Sequence, residues 1–211
     1  MKTVLVISPH PDDEAIGCGG TIRKHIVEGD TVHVIFLTSG EKGGHGLPEA
    51  ETKKLREAEA LKAAEILGTH QNDFWGEPDG KFKANKKNVK RLVKKIDALA
   101  PDIIYVPHIN EEHADHMSAA RLVKKAINKL KDQTKIPLVW MYEVWTPLQK
   151  LDHIVDISGF VEIKTRSIQA HTSQCTVMKF DEAILGLNRY RGEMHSWPGG
   201  DYAEGFEKMK L

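Results

Sequence analysis

Apolar residues in this chain fall into short unbroken runs set between stretches of helical spacing. Val4-Leu5-Val6-Ile7 is β-branched and uninterrupted, and it stops at Pro9. A run without polar alternation predicts a strand covered on both faces, as in a parallel sheet. Val32 to Leu37, Ile103 to Val106, Leu138 to Val144 and His153 to Ile157 predict further strands. Between them, Thr21 to Glu28 reads as a helix closed by Gly29, and a charged helix starts at Pro48 and ends at Gly68. Residues 85–99 place Val89, Leu92, Val93, Ile96 and Leu99 on one helical face. His116 to Leu130, about 160–171 and about 181–191 predict the remaining helices, and the glycine-rich residues 40–46 a loop. Alternating strands and helices imply a layered α/β sandwich with a mainly parallel sheet, a single domain over 1–211. In such sheets ligands bind beyond the carboxyl ends of the strands, so the residues after each strand matter most.

Composition narrows the picture by exclusion. Thirty basic and thirty acidic side chains among 211 residues cancel, leaving no global field to recruit nucleic acid or an anionic membrane. No run approaches the roughly 20 apolar residues of a membrane helix, and the opening segment is too short for a signal-peptide core. Only two cysteines occur, Cys18 and Cys175, which suits reduced thiols in the cytoplasm. The expectation is a cytoplasmic protein with a small-molecule substrate and no nucleic-acid or membrane partner.

Two clusters carry the chemistry. After the first strand comes Pro9-His10-Pro11-Asp12-Asp13-Glu14; after the third, His108 and then Glu111-Glu112-His113-Ala114-Asp115-His116. A parallel sheet can bring both to one edge although about 100 residues separate them. Imidazole and carboxylate are zinc donors, and a catalytic site uses three of them with one position left for water. His10, Asp13 and His116 make such a set. Zinc would lower the pKa of its water towards about 7. Asp12 is then placed to accept the proton, and His113, one helical turn from His116, to stabilise an oxyanion or protonate an amine. Asp115 is expected to fix a histidine tautomer. The competing reading makes Asp12, Asp13 and Glu14 the cap and first-turn acids of a helix.

These two strings together resemble the PIG-L/LmbE-like family of zinc-dependent N-acetylglucosamine deacetylases. Lesser matches extend over most of the chain: Gly17-Cys18-Gly19-Gly20-Thr21, Leu37-Thr38-Ser39-Gly40-Glu41, Arg56-x-x-Glu59, Pro78-Asp79-Gly80, Ala170-His171-Thr172-Ser173-Gln174 and Tyr202-Ala203-Glu204-Gly205-Phe206. The resemblance implies a three-layer Rossmann-like fold and hydrolysis of an acetamide on a glucosamine ring. By motif position it implies His10, Asp13 and His116 as zinc ligands, Asp12 as general base and His113 as the group assisting the tetrahedral intermediate. Arg56 and Asp79 fall where the family meets the sugar or its substituent. It also makes a homo-oligomer plausible. Glu112 stands where some members carry arginine, which argues against an anionic aglycone.

Other signals are assigned more modestly. Gly17-Cys18-Gly19-Gly20 lacks the full dinucleotide spacing and reads as close backbone packing. The lysine-rich residues 81–95 read as a solvated helix face. Tyr142 ends a strand and is a candidate oxyanion or substrate donor; His171 is either structural or near the site. The stretch from Gly192 to Tyr202, with Trp197 and Pro198, reads as a loop bordering a pocket or subunit contact. Two other functions compete with sugar deacetylation: a metal-dependent amidase acting on a non-sugar or thiol-conjugate amide, and a zinc-binding protein without turnover.

Overall fold

The computed structural model describes residues 1–130, 136–195 and 199–211; Trp197 and Pro198 lie outside the described residues. In chain order the elements are β1 (Thr3–Ser8), α1 (Asp13–Val27), β2 (Thr31–Thr38), α2 (Glu49–Leu67), β3 (Gln71–Glu77), α3 (Lys86–Leu99), β4 (Ile103–Pro107) and α4 (Ala114–Lys129). They continue with β5 (Leu138–Tyr142), β6 (His153–Asp156), α5 (Val161–Gln169), α6 (Thr172–Cys175), α7 (Phe180–His195) and β7 (Ala203–Lys208). Gly192 therefore lies within a helix and not in the expected loop.

The strands form one seven-stranded sheet in the order β3-β2-β1-β4-β5-β7-β6. The pairs from β3 through β5 are parallel, whereas β7 runs antiparallel to both β5 and β6. The unbroken apolar runs are explained by burial on both sides. Leu5, Ile7, Ile35, Leu37, Ile104 and Val106 pack towards Val89, Leu92 and Ile96 of α3 and Leu122 and Val123 of α4. Their neighbours Val4, Val6, Val34 and Phe36 face Cys18 and Ile22 of α1 and Ala60 and Leu67 of α2. The result is the expected three-layer sandwich.

Two strands escape the periodicity. β3 is a sheet edge of mostly polar, partly exposed residues, and β7 mixes Glu204 and Glu207 with Ala203 and Phe206. α1 also begins well before Thr21. It is two helical segments broken at Cys18, whose φ is −146°. The glycines around the break are there for room: a Cβ on Gly17 would collide with the Tyr142 ring, and one on Gly20 with Ile157. Helix and sheet thus approach backbone to side chain, as the packing reading of this glycine cluster requires.

The strand order reverses between β1 and β4, since β2 and β3 extend one way and β5 the other. Beyond the carboxyl ends of those two strands lies the crevice where open α/β sheets bind ligands. His10 follows β1, and His113 and His116 open α4 directly after β4.

Candidate metal centre and active site

Three donor atoms converge in that crevice. His10 Nδ1 lies 3.2 Å from Asp13 Oδ2 and 3.2 Å from His116 Nε2, and His116 Nε2 lies 3.1 Å from Asp13 Oδ2. All three residues are buried. Tetrahedral zinc with bonds of about 2.0 Å places its ligands roughly 3.3 Å apart, so this nitrogen–oxygen–nitrogen triangle has the edge length of one face of such a site. His10, His113 and His116 also lie close enough to share an ion, with donor atoms within 4.8 Å of one another. The set containing Asp13 is the tighter one and supplies the negative charge.

Carboxylates stand behind the triangle. The far nitrogen of His10, Nε2, lies 3.1 Å from Asp79 Oδ1 and 3.4 Å from Asp115 Oδ2. Asp115 is itself fixed by the Gly80 amide at 2.7 Å and the Phe82 amide at 3.0 Å. Asp79 accepts from the Lys42 amide at 3.0 Å. Behind His116, Glu111 Oε2 lies 3.8 Å from Nδ1, an atom with no hydrogen-bond partner among the described residues. Burial opposes a charged His10, but hydrogen bonds to Asp115, Asp13 and Asp79 outweigh it and raise the imidazole well above its usual range. Burial likewise pushes Asp13 up, and the adjoining His116 and His10 more than offset it, holding this carboxyl well below its ordinary value. The pocket is built to hold positive charge.

Asp12 stands beside the triangle in a strained conformation, φ 134° and ψ −31°, a region a non-glycine residue adopts at a cost of about 1–3 kcal/mol. It occupies the cap position of α1, yet its side chain makes no capping bond. Instead Asp12 Oδ2 accepts from Arg56 Nη2 at 2.9 Å. The same Nη2 donates to the Pro11 carbonyl at 2.8 Å, and Nη1 to the Gly40 carbonyl at 2.9 Å. Burial lifts the Asp12 carboxyl to about 7, against the pull of the guanidinium. The cap reading therefore fails for Asp12, while Asp13 and Glu14 do form the first turn of α1.

His113 caps α4: its Nδ1 accepts from the Asp115 amide at 3.2 Å. In the neutral ring that acceptance leaves the proton on Nε2. Burial and the nearby His10 and His116 lower its pKa, which favours this neutral donor form. His113 lines a cavity of about 340 Å³ together with His10, Asp12, Asp13, Arg56 and Asp79. All six thus border one space.

Tyr142 does not join them. It is fully buried, and its hydroxyl donates to the Ile7 carbonyl at 2.9 Å. Its ring lies against Gly17, so the expected oxyanion role is replaced by packing between β5 and α1. Arg56 and Asp79, expected at the sugar, border the cavity but bond chiefly to Asp12 and His10. His171 is buried behind the site, 3.8 Å from Glu14 Oε1, and burial pushes its pKa down to about 3. Sequence reasoning gave no role to Glu111, Gln174 or Phe180. Glu111 sat inside the second cluster, an acid directly after a strand end, and that was its only signal.

Known proteins resemble the chain throughout. The family model described as PIG-L, GlcNAc-PI de-N-acetylase, matches residues 5–127. The diacetylchitobiose deacetylase of Thermococcus kodakarensis is 32% identical over 97% of this chain and 82% of that protein. The structure of N,N'-diacetylchitobiose deacetylase from Pyrococcus horikoshii superposes with a TM-score of 0.85 at 27% identity, covering 99% of this chain and 84% of the other. The 4-oxalmesaconate hydratase of Pseudomonas putida is 29% identical over 82% of this chain and 74% of that protein.

Proposed function

We propose that this chain, which belongs to the PIG-L family of GlcNAc-PI de-N-acetylases, removes the N-acetyl group from N-acetylglucosamine or a small conjugate of it, with zinc held by His10, Asp13 and His116. One observation carries the reading: a carboxylate that can accept a proton, Asp12, and an N–H donor, His113, border one cavity with His10 and Asp13 of the nitrogen–oxygen–nitrogen triangle. Amide hydrolysis needs both, since Asp12 can take a proton from the nucleophilic water and return it to the departing amine, while the neutral His113 N–H donates to the developing oxyanion.

A divalent metal in the triangle would supply Lewis acidity and a water of lowered pKa. Asp12, oriented by Arg56, takes the proton from the attacking water. His113 Nε2–H points a donor at the developing oxyanion, where a fixed dipole stabilises charge without rearranging. Asp79 and Asp115 hold the far side of His10, so the ring cannot turn away from the triangle. The free thiols of Cys18 and Cys175 suit a reducing cytoplasm.

The hydratase relative shows that this fold supports more than one reaction. A polycarboxylate substrate calls for free cations, whereas Arg56 is buried and engaged by Asp12, Pro11 and Gly40. That leaves Lys42 and His45 as the other basic groups at the cavity wall apart from the two histidines of the site. A zinc store without turnover has no use for a strained carboxylate beside its ligands.

The test is amine release from N-acetylglucosamine and N,N'-diacetylchitobiose by zinc-loaded enzyme beside His116→Ala. Release by the wild type, with loss of both zinc and turnover in the variant, is the expected result. Full zinc occupancy without release from either sugar would sink the proposal. Tyr142→Phe is expected to lower stability by about 1 kcal/mol, one hydrogen bond, with kcat within about twofold. Denaturant titration and steady-state rates check this; a fall in kcat beyond tenfold would return Tyr142 to the reaction.

A further inference from the structure

Ala170-His171-Thr172-Ser173-Gln174 runs from the end of α5 into α6 and is fastened on two sides. The Ser173 amide and hydroxyl donate to Glu59 of α2 at 2.8 Å and 2.7 Å. Gln174 Nε2 donates to the Gly43 carbonyl, in the loop after β2, at 3.0 Å. Held between these bonds, His171 faces the first turn of α1, with Nε2 3.8 Å from Glu14 Oε1. It is 1% exposed, and neither ring nitrogen has a hydrogen-bond partner among the described residues.

Packing does not explain a buried imidazole with two unbonded nitrogens, since an apolar ring fills the same space without stranding a polar group. Burial and the nearby Arg56 guanidinium keep the ring neutral, so it carries one N–H donor. The oxygen in front of it belongs to a carboxyl that already touches the proton acceptor of the site. Glu14 Oε2 meets the Asp12 amide at 3.3 Å and the Ser8 hydroxyl at 3.0 Å. Asp12 has its strained φ of 134° at that amide, and such backbone persists only where the surroundings impose it. Hydrogen bonds in free enzymes are often long at catalytic sites and tighten when substrate binds. A shift of about 1 Å brings Nε2 within bonding distance of Oε1.

We propose that His171 is a positioning residue for the deacetylation: its Nε2–H donates to Glu14 Oε1 as substrate binds, and Glu14 in turn fixes the Asp12 backbone. The inference rests on the deacetylase reading and adds to it a residue from outside the cavity. His171 is not among the residues that line that space, so it acts on the base and leaves substrate affinity alone. A misplacement of about 1 Å at a reacting group costs about 100-fold in rate. One bond further back, the loss is smaller.

The experiment measures kcat and KM for N,N'-diacetylchitobiose, zinc per chain, and hydrogen exchange of the Asp12 amide in metal-free protein. Wild type is compared with His171→Phe, which keeps a ring without an N–H, and His171→Gln, which returns an N–H near the Nε2 position. His171→Phe is expected to lower kcat per bound zinc by about 10-fold, with KM within about twofold. Exchange at Asp12 quickens by a similar factor, and His171→Gln restores most of both. In a Glu14→Ala background the phenylalanine substitution adds no further loss, because the two residues act in series. An unchanged kcat or exchange rate in His171→Phe overturns the proposal, as do equal losses in His171→Phe and His171→Gln. So does a full additional loss in the Glu14→Ala background, or zinc lost together with activity, which would make His171 a support of the whole site. No amine from the wild type defeats the deacetylase reading alone, and the exchange rates still decide whether His171 acts on Asp12.

Discussion

Asp12→Ala lowers kcat for acetyl release by at least about 100-fold, the size of a general-base contribution, while zinc content per chain stays at the wild-type level. The two readouts separate because Asp12 stands outside the donor triangle: His10, Asp13 and His116 keep their mutual distances of 3.1–3.2 Å without it. The strain at φ 134° supports the assignment. Such backbone survives only where the surroundings impose it, and here Arg56 holds the carboxylate while Glu14 Oε2 accepts the Asp12 amide at 3.3 Å. Alanine also leaves the Arg56 guanidinium buried without its counter-ion, which costs stability in its own right. Asp12→Asn is therefore the companion variant. Its amide oxygen still accepts from Arg56 but cannot take a proton at neutral pH, so it should fold nearly as well and lose activity as fully. Metal analysis beside single-turnover rates decides the matter; retained turnover with one zinc bound removes Asp12 from the mechanism.

What could be read in advance followed from burial. The strands β1, β2, β4 and β5 are covered on both faces, so their sequences are unbroken apolar runs, and the residues after β1 and β4 fall at the point where the strand order reverses. The two motif clusters could be found because ligand and acid–base groups must sit on such edges. Other features depend on partners in space and leave no periodic trace. β3 is an edge whose residues are mostly half-buried, and β7 carries charges that answer to distant elements. The Tyr142 hydroxyl has one proton to donate, and only the approach of β5 to Gly17 sends it to the Ile7 carbonyl. Arg56 and Asp79 fell in the right neighbourhood by motif, yet their side chains meet Asp12 and His10. Glu111 is an acid in an acid-rich string until the loop after β5 brings three amides onto it.

Breaking the pair between Lys164 and Glu204 should be the most damaging change away from the cavity. Both side chains are fully buried, with Nζ 2.5 Å from Oε1. The pair closes the break in α1 from both sides. Lys164 donates to the Ile16 carbonyl at 2.8 Å, an orphaned acceptor at the end of the first segment. Glu204 accepts from the Gly20 and Thr21 amides at 2.9 Å and 2.7 Å, the orphaned donors that start the second. Removing one partner, by Lys164→Met or Glu204→Gln, strands a buried group and is expected to cost about 3–5 kcal/mol. Against a typical total of about 5–15 kcal/mol, that is a large share, and each single variant should unfold at a visibly lower denaturant midpoint. The double variant should recover much of the loss, because no uncompensated charge remains, and the recovery distinguishes a charge effect from a packing effect. Single variants within about 1 kcal/mol of wild type would mean that the pair is worth no more than an exposed one. If the loss is found, it explains why a Tyr202–Phe206 segment far from the chemistry goes with the Asp12-Asp13-Glu14 string. Glu204 from the last strand helps hold the broken helix whose first turn carries Asp13 into the site.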